Sequence, residues 1–383
     1  PVLVTIPANT LTYVLPFTIG TIVDPIFEQT ETFFLNATVT SGNTDNIGPV
    51  GIGTITESLV PPTFTITGNT ATEGNPVTFT ATLSGPSSTD TVITVVTNPG
   101  TATSPEDYNA TPTVTTITIP AGSLTGITQV NTLGDNINEP QEQFTLTGTV
   151  TSGNTSNLDA TGTGTIDDDT TDPTVTITGT TAVEGNDVIF TASLSGLSST
   201  DVVINVTTAS GTGANGATSV DDFTPTTGTI TIPAGSLTGS TTISVPTVID
   251  AIVEIDETFT LNGTVTSGNT DNTNPVGTGT ITESLPLPTL TLTGTTVVEG
   301  NPVEFTATLS TASSTPVTFT VLTTSGNPPN GATSNADFQP ILVPVLVTIP
   351  ANSLTYVLPF TIGTIIDPIF EQTETFFLNA TVT

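Results

Sequence analysis

Four acidic cassettes of the form Asp-x3-Glu-x2-Glu-x-Phe hold most of the chemistry this chain can offer. They begin at Asp24, Asp135, Asp250 and Asp367. Asp and Glu together number 34, whereas Lys, Arg and His are absent, so the formal net charge is -34. No carboxylate can therefore pair with a cationic side chain. Two like charges ~4 Å apart repel by roughly 4 kcal/mol at an effective dielectric of 20. Clustered acids must then be solvated, protonated or bound to a metal ion. For an oxygen-only donor set the natural ion is calcium, which accepts about six to eight oxygens at roughly 2.3 to 2.6 Å without strict geometry.

The same composition excludes much other chemistry. Without His, Cys, Lys or Arg there is no Ser-His-Asp or Cys-His nucleophile, no Schiff-base lysine, no thiolate metal site and no arginine clamp. Disulfides are impossible, and a polyanion without cations does not bind nucleic acid. A two-carboxylate hydrolase is the one enzymatic option left, but acids in open loops lack the apolar pocket that raises one pKa. The chain is read as no enzyme.

The cassettes recur at intervals of about 115 residues, a period long enough for a whole domain and too long for a solenoid turn. Residues 344–383 repeat residues 1–40, with only Thr10/Ser353 and Val23/Ile366 differing. The larger period is thus three domains, and the chain reads as a window on a longer tandem protein. The expected organisation is 1–61, the C-terminal part of one domain; 62–171; 172–287; and 288–383, lacking its last strand. No run of roughly twenty apolar residues is present, so no membrane insertion is expected.

Runs such as Thr63–Thr67, Val77–Leu83 and Thr116–Ile119 alternate threonine with apolar residues, the period-two pattern of half-buried antiparallel strands. Gly, Pro, Asn and Ser punctuate them every eight to twelve residues, as in a sandwich. In 62–171 seven strands are expected: A near 63–69, B 77–84, C 91–97, D 114–119, E 126–133, F 143–151 and G 162–167. The fold class is all-β: tandem seven-stranded antiparallel β-sandwiches, immunoglobulin-like, stacked end to end.

Strand parity then gathers the acids. If successive strands run up and down, the A–B turn, the C–D loop, the E–F loop and the end of strand G share one pole. That pole carries Glu73, Asp107, Asp135, Glu139, Asp167, Asp168 and Asp169. The second domain keeps Glu184, Asp222, Asp250 and Glu254, with Asp221 and Glu257, but its strand G ends Thr282-Glu283-Ser284. The third type keeps Glu299, Asp337, Asp367 and Glu371, and ends Thr56-Glu57-Ser58. Calcium is expected above all in 62–171. The linkers Leu285–Pro288 and Leu59–Pro62 are apolar and proline-rich, and stiff without an ion.

These residues resemble the Calx-beta domain. The marks are Glu-Gly-Asn at 73–75, 184–186 and 299–301; Asp-Tyr or Asp-Phe at 107, 222 and 337; Ile-Pro-Ala-Gly-Ser at 119–123 and 232–236; the cassette itself; and Gly-Thr-Gly-Thr-Ile-Asp-Asp-Asp at 162–169. The resemblance implies a β-sandwich and, as ligands, the same seven residues of 62–171. Calcium-binding members often carry paired aspartates in the E–F loop, where this chain has Gly134-Asp135, Ile249-Asp250 and Ile366-Asp367. The tandem, threonine-rich, Lys- and Arg-free character also resembles the repeat regions of SprB-like gliding-motility adhesins of Bacteroidetes.

The function expected is a structural stalk of an extracellular cell-surface adhesin or filament. Its partners are neighbouring repeats of the same chain, with surface glycans or substratum reached through other regions. Each sandwich should add roughly 35 to 45 Å. The alternative is direct glycan or ice adhesion, but there is no Trp and there are 3 Tyr, and twisted sheets break flat threonine rows. Asn36, Asn109, Asn154, Asn205, Asn262 and Asn379 begin Asn-x-Ser/Thr triplets, and Asp90-Thr91-Val92 resembles an O-glycosylation acceptor.

Trypsin cleaves after Lys or Arg, so heat-denatured protein should survive it uncut. Fragments on a gel would contradict the sequence.

Overall fold

A computed structural model describes residues 1–111 and 115–382. The chain divides into two compact units, Pro1–Thr171 and Asp172–Thr383. No helix among the described residues is long and apolar enough to cross a membrane.

In the first unit the strands are β1 Glu31–Asn36, β2 Val50–Ile55, β3 Phe64–Gly68, β4 Thr70–Thr72, β5 Val77–Leu83 and β6 Thr91–Pro99. They continue with β7 Thr115–Ile119, β8 Thr125–Val130, β9 Ile137–Asn138, β10 Glu142–Ser152 and β11 Asp159–Asp167. Between residues 62 and 171, one sheet has the order β3-β5-β8 and the other β4-β11-β10-β6-β7. Alternation drives the layering: Phe64, Ile66, Val77, Phe79, Ile93 and Leu146 fill the core between the sheets, and the intervening threonines face outward. At roughly 1.5–3 kcal/mol for each large side chain buried, this interior is what offsets the chain entropy.

Two features depart from the expected seven strands. Strand A is broken at Asn69, whose side chain accepts a hydrogen bond from Thr78 N (2.7 Å) and whose carbonyl accepts one from Thr165 N (3.2 Å). Its second half, β4, leaves the first sheet and pairs parallel with β11; strands A and G, both odd in the count, run the same way. Strand E ends at Val130, before the expected residue 133, because Asn131 to Leu133 pair with the C–D loop instead: Asn109 N donates to Asn131 O (3.0 Å) and Leu133 N to Asp107 O (2.9 Å). Val114, the expected start of strand D, lies outside the described residues.

The second unit holds two such sandwiches. In the first, strands Val175–Gly179, Asp187–Leu194 and Ile243–Pro246 form one sheet, and Thr181–Val183, Val276–Thr282, Glu257–Ser267, Val202–Ala209 and Thr227–Ile232 the other. In the second, Leu290–Gly294, Pro302–Leu309 and Thr355–Gly363 pair, as do Val345–Ile349, Val317–Thr324 and Phe377–Val382.

The near-identical segments 1–40 and 344–383 provide an internal control. In the second unit Ile349, Leu358 and Ile362 are 0%, 4% and 2% exposed. Their counterparts Ile6, Leu15 and Ile19 are 62%, 39% and 51% exposed, and before β1 that segment forms no strand. The same residues are strand only where partner strands lie alongside, which is how far β propensity depends on context.

Phe259→Ala should destabilise the second unit by about 3–5 kcal/mol in urea denaturation. Thr264→Val, on the wet face of the same strand, should change it by less than about 1 kcal/mol.

Candidate metal centre

The site is assembled from a loop aspartate and a strand glutamate brought together by two rings. In the C–D loop, Thr103 N donates to Asp107 Oδ2 (2.6 Å) and Asp107 N to Thr103 O (2.9 Å), a closed turn that fixes the carboxylate. The next residue, Tyr108, stacks on Phe144 of β10 with centroids 4.2 Å apart and planes 15° apart. Glu142 stands two residues before Phe144, so it lies on the same side of the strand, at the pole. Asp107, Glu139 and Glu142 consequently offer oxygens within 4.8 Å of one another.

The arrangement repeats. Thr218 N donates to Asp222 Oδ2 and Phe223 stacks on Phe259 (4.3 Å, 16°), which groups Asp222, Glu254 and Glu257. Thr333 N donates to Asp337 Oδ2 and Phe338 stacks on Phe376 (4.2 Å, 13°), which groups Asp337, Glu371 and Glu374.

Residues 62–171 contain a further group, Glu73, Asp168 and Asp169, also within 4.8 Å. Glu73 is set by a turn in which Gly74 adopts φ +74°, open to glycine at little cost, and by its N–H donating to Asp167 O (2.9 Å). Asp168 Oδ2 accepts from Asn138 Nδ2 (2.8 Å) and Thr170 Oγ1 (2.7 Å). Glu73 Oε2 and Asp168 Oδ1 are buried and have no hydrogen-bond partner among the described residues. Two such orphaned oxygens are costly unless something else binds them.

The electrostatics carry the same strain. Burial, then the charge of Glu139, lifts Glu73 to about 7. Burial and Asp107 lift Glu142 to about 8, and they raise Glu139 as well. Burial, reinforced by Asp222, brings Glu254 and Glu257 to about 7. Burial and Glu283 raise Glu184. In the absence of cations, protonation relieves these raised glutamates.

Of the residues singled out from sequence, the structure brings together Glu73, Asp168 and Asp169, then Asp107 and Glu139, then Asp222 and Glu254. It does not bring Asp135, Asp167, Glu184 or Asp250 into these groups. Asp135 and Asp250 shape the cassette loop, each accepting from the N–H two residues on, Ile137 N (2.6 Å) and Ile252 N (2.7 Å). Asp167 accepts from Gln141 Nε2 (2.7 Å), and Glu184 from Ser284 Oγ (3.1 Å).

Sequence reasoning passed over Glu142 as a ligand, although its i, i+2 relation to the buried Phe144 was the available signal. It also passed over Glu57 and Glu283. Glu283 accepts from Glu254 N and from Leu285 N (2.6 Å); Glu57 accepts from Glu28 N (2.7 Å) and Leu59 N (2.8 Å). The Leu59 and Glu28 amides hold the Glu57 carboxyl below its usual range. Where 62–171 ends in aspartates, these domains end in a glutamate that caps the cassette backbone. Thr91 is fully buried, so the Asp90-Thr91-Val92 acceptor is inaccessible in the folded chain.

The residues present fit calcium. The donors are all oxygen, they converge, and the first domain presents orphaned buried oxygens toward one group.

Comparison with known proteins gives one family and several solved structures. The model of the Calx-beta domain matches residues 73–170 and 168–284. No curated protein matches the chain. Among solved structures, CBD12 from CALX1.2 is 13% identical, covering 52% of this chain and 79% of its own, with a TM-score of 0.25. The apo-form Calx CBD1 domain is 17% identical, covering 28% of this chain and 99% of its own, with a TM-score of 0.24.

The raised carboxyls predict a pH dependence. The folded chain holds these protons more tightly than the unfolded chain, where the glutamates titrate near 4.5. Their stabilising contribution is complete below about pH 4.5 and is lost as pH rises through about 7 to 8. In chelator the melting midpoint should fall between pH 5 and pH 8, and calcium should restore most of it at pH 8. A midpoint that rises over this interval, in chelator, contradicts the assignment.

Proposed function

The chain belongs to the Calx-beta family, and from that premise we propose that it is a calcium-loaded structural stalk, a repeat region of an extracellular cell-surface adhesin or filament. One observation carries the reading: the group Asp107, Glu139 and Glu142 recurs as Asp222, Glu254 and Glu257 and as Asp337, Glu371 and Glu374. A scaffold repeats one element along its length, whereas turnover needs one differentiated site. The absence of Lys and Arg supports a location exposed to proteases.

In this reading Glu73, Asp168 and Asp169 hold one ion in 62–171, and Asp107, Glu139 and Glu142 a second. The later domains hold one each. Calcium, when bound, supplies the positive charge that the sequence lacks. The chain's own residues do the rest: the Thr103, Thr218 and Thr333 turns present the aspartates, the ring stacks hold strand and loop in register, and the Asx turns shape the cassette loop. Neutralising the groups fixes the loops at the pole and so stiffens the connection to the following repeat. The proline-rich linkers and the Glu57 and Glu283 caps make the other connections less dependent on the ion.

Calorimetry should detect calcium binding at millimolar concentration or below, and Asp107→Asn with Asp168→Asn should remove most of it from 62–171. Solution scattering should show a shorter, broader distribution of end-to-end distances in chelator, with the β signal of circular dichroism little changed. No calcium heat, or superimposable scattering profiles, would overturn the reading.

A further inference from the structure

The residue before the first glutamate of a cassette does something the carboxylates do not. In the first unit Phe27 N donates to Pro86 O (2.9 Å) and Ser88 N donates to Phe27 O (3.0 Å), so Phe27 pairs in parallel with Ser87. Ser87 lies in the B–C loop of the next sandwich, at the pole opposite the acids, and is 1% exposed. Pro25, Phe27, Leu59, Pro62 and Pro86 line one apolar cleft around this contact. Gln29 Nε2 adds a hydrogen bond to Asn154 Oδ1 (2.6 Å).

The second unit repeats the arrangement. Ile252 and Val253 pair in parallel with Ala312 and Ser313, and Ser314 N donates to Val253 O (2.9 Å). Val253 is 4% exposed and Ser313 8%. Both sockets read Ser-Ser-Thr, at 87–89 and 313–315, but the residue before differs, Pro86 in one and Ala312 in the other, and the plugs differ with it: the larger Phe27 pairs with Ser87 and the smaller Val253 with Ser313. Backbone pairing supplies attachment, and the plug side chain supplies selection, as in strand addition to a sheet edge.

The segment Asp367–Glu374 is identical, residue for residue, to Asp24–Glu31. Its loop carries the same Asx turn, Ile369 N to Asp367 Oδ1 (2.8 Å), beside Ile26 N to Asp24 Oδ1 (2.9 Å). Yet Phe370 is 95% exposed and Ile369 64%. We infer that Ile369-Phe370 is a docking surface for a sandwich whose B–C loop reads Pro-Ser-Ser-Thr, as residues 86–89 do. The identical plug already seated at Ser87 defines both the partner and the register: Phe370 N to the proline carbonyl, and the second serine N to Phe370 O. This deepens the stalk reading and rests on it only for the order in which repeats follow.

The test extends the whole 383-residue chain past its last residue with a copy of its own residues 41–171 and follows backbone hydrogen exchange by mass spectrometry. Peptides containing Val23 or Ile366 tell the two cassettes apart. Segment 366–372 should exchange roughly tenfold or more slowly in the extended chain than in the original, approaching segment 23–29. Phe370→Asp in the extended chain should abolish that protection and leave 23–29 unchanged, and Phe27→Asp should do the converse. Segment 366–372 exchanging equally fast with and without the extension, or protection that survives Phe370→Asp, would overturn the inference. Neither result touches calcium binding or end-to-end length, on which the stalk reading stands or falls.

Discussion

The face-to-face contact between the aromatic after a C–D aspartate and the phenylalanine of the cassette in the same sandwich, made three times, is the interaction on which the rest of the site depends. Tyr108 on Phe144, Phe223 on Phe259 and Phe338 on Phe376 each tie a loop to a strand, and Phe79, Phe190 and Phe305 meet the cassette rings edge-on. A stack contributes about 0.5–1.5 kcal/mol beyond its burial. That modest attraction, added to burial of two large rings, holds together carboxylates that repel by several kcal/mol in aggregate. Packing sets the geometry and electrostatics opposes it, so the apolar core keeps an acidic group assembled.

The chain resolves that opposition in two ways. In 62–171 it leaves Glu73 and Asp168 with buried oxygens that have no partner among the described residues, a state that favours a bound ion or a proton. On either side of 62–171, in 1–61 and in 172–287, a single glutamate, Glu57 or Glu283, turns to backbone N–H groups of the cassette loop. Backbone donors stabilise an ionised carboxylate without any cation, which is why Glu57 titrates low while Glu73 titrates high. The shift from Asp-Asp-Asp to Thr-Glu-Ser at the end of strand G is thus an exchange of one kind of charge stabilisation for another.

The cassette also links two tasks in a few residues. Its aspartate makes the turn, its glutamates join the acidic group, and the residue between them pairs with the B–C loop of the following sandwich within each unit. Because the pairing residue adjoins a cassette glutamate, the acidic loop and the contact with the following sandwich share one stretch of chain. The polar B–C loops that receive these residues contain buried serines, Ser87 and Ser313.

Much of this was legible in the chain. Period-two threonine alternation gave the strands, because a half-buried sheet has that period; parity placed Glu73, Asp107, Glu139 and Asp168 at one pole; and the lack of cations posed the problem those acids must solve. Other features needed the fold. Which acids converge depends on rings far apart in sequence, so Glu142 joined the group while Asp135 and Asp250 went to local turns. The break of strand A at Asn69 is a choice between two sheets that its own residues do not encode. The plainest case is the repeated segment itself: Ile6 and Ile349 sit in the same local sequence, one exposed and one buried. Sequence alone determined the periodicity, the fold class and the charge problem, because these follow from composition and spacing. Tertiary structure decided which carboxylates meet and which strands form, because both depend on partners that only packing brings alongside.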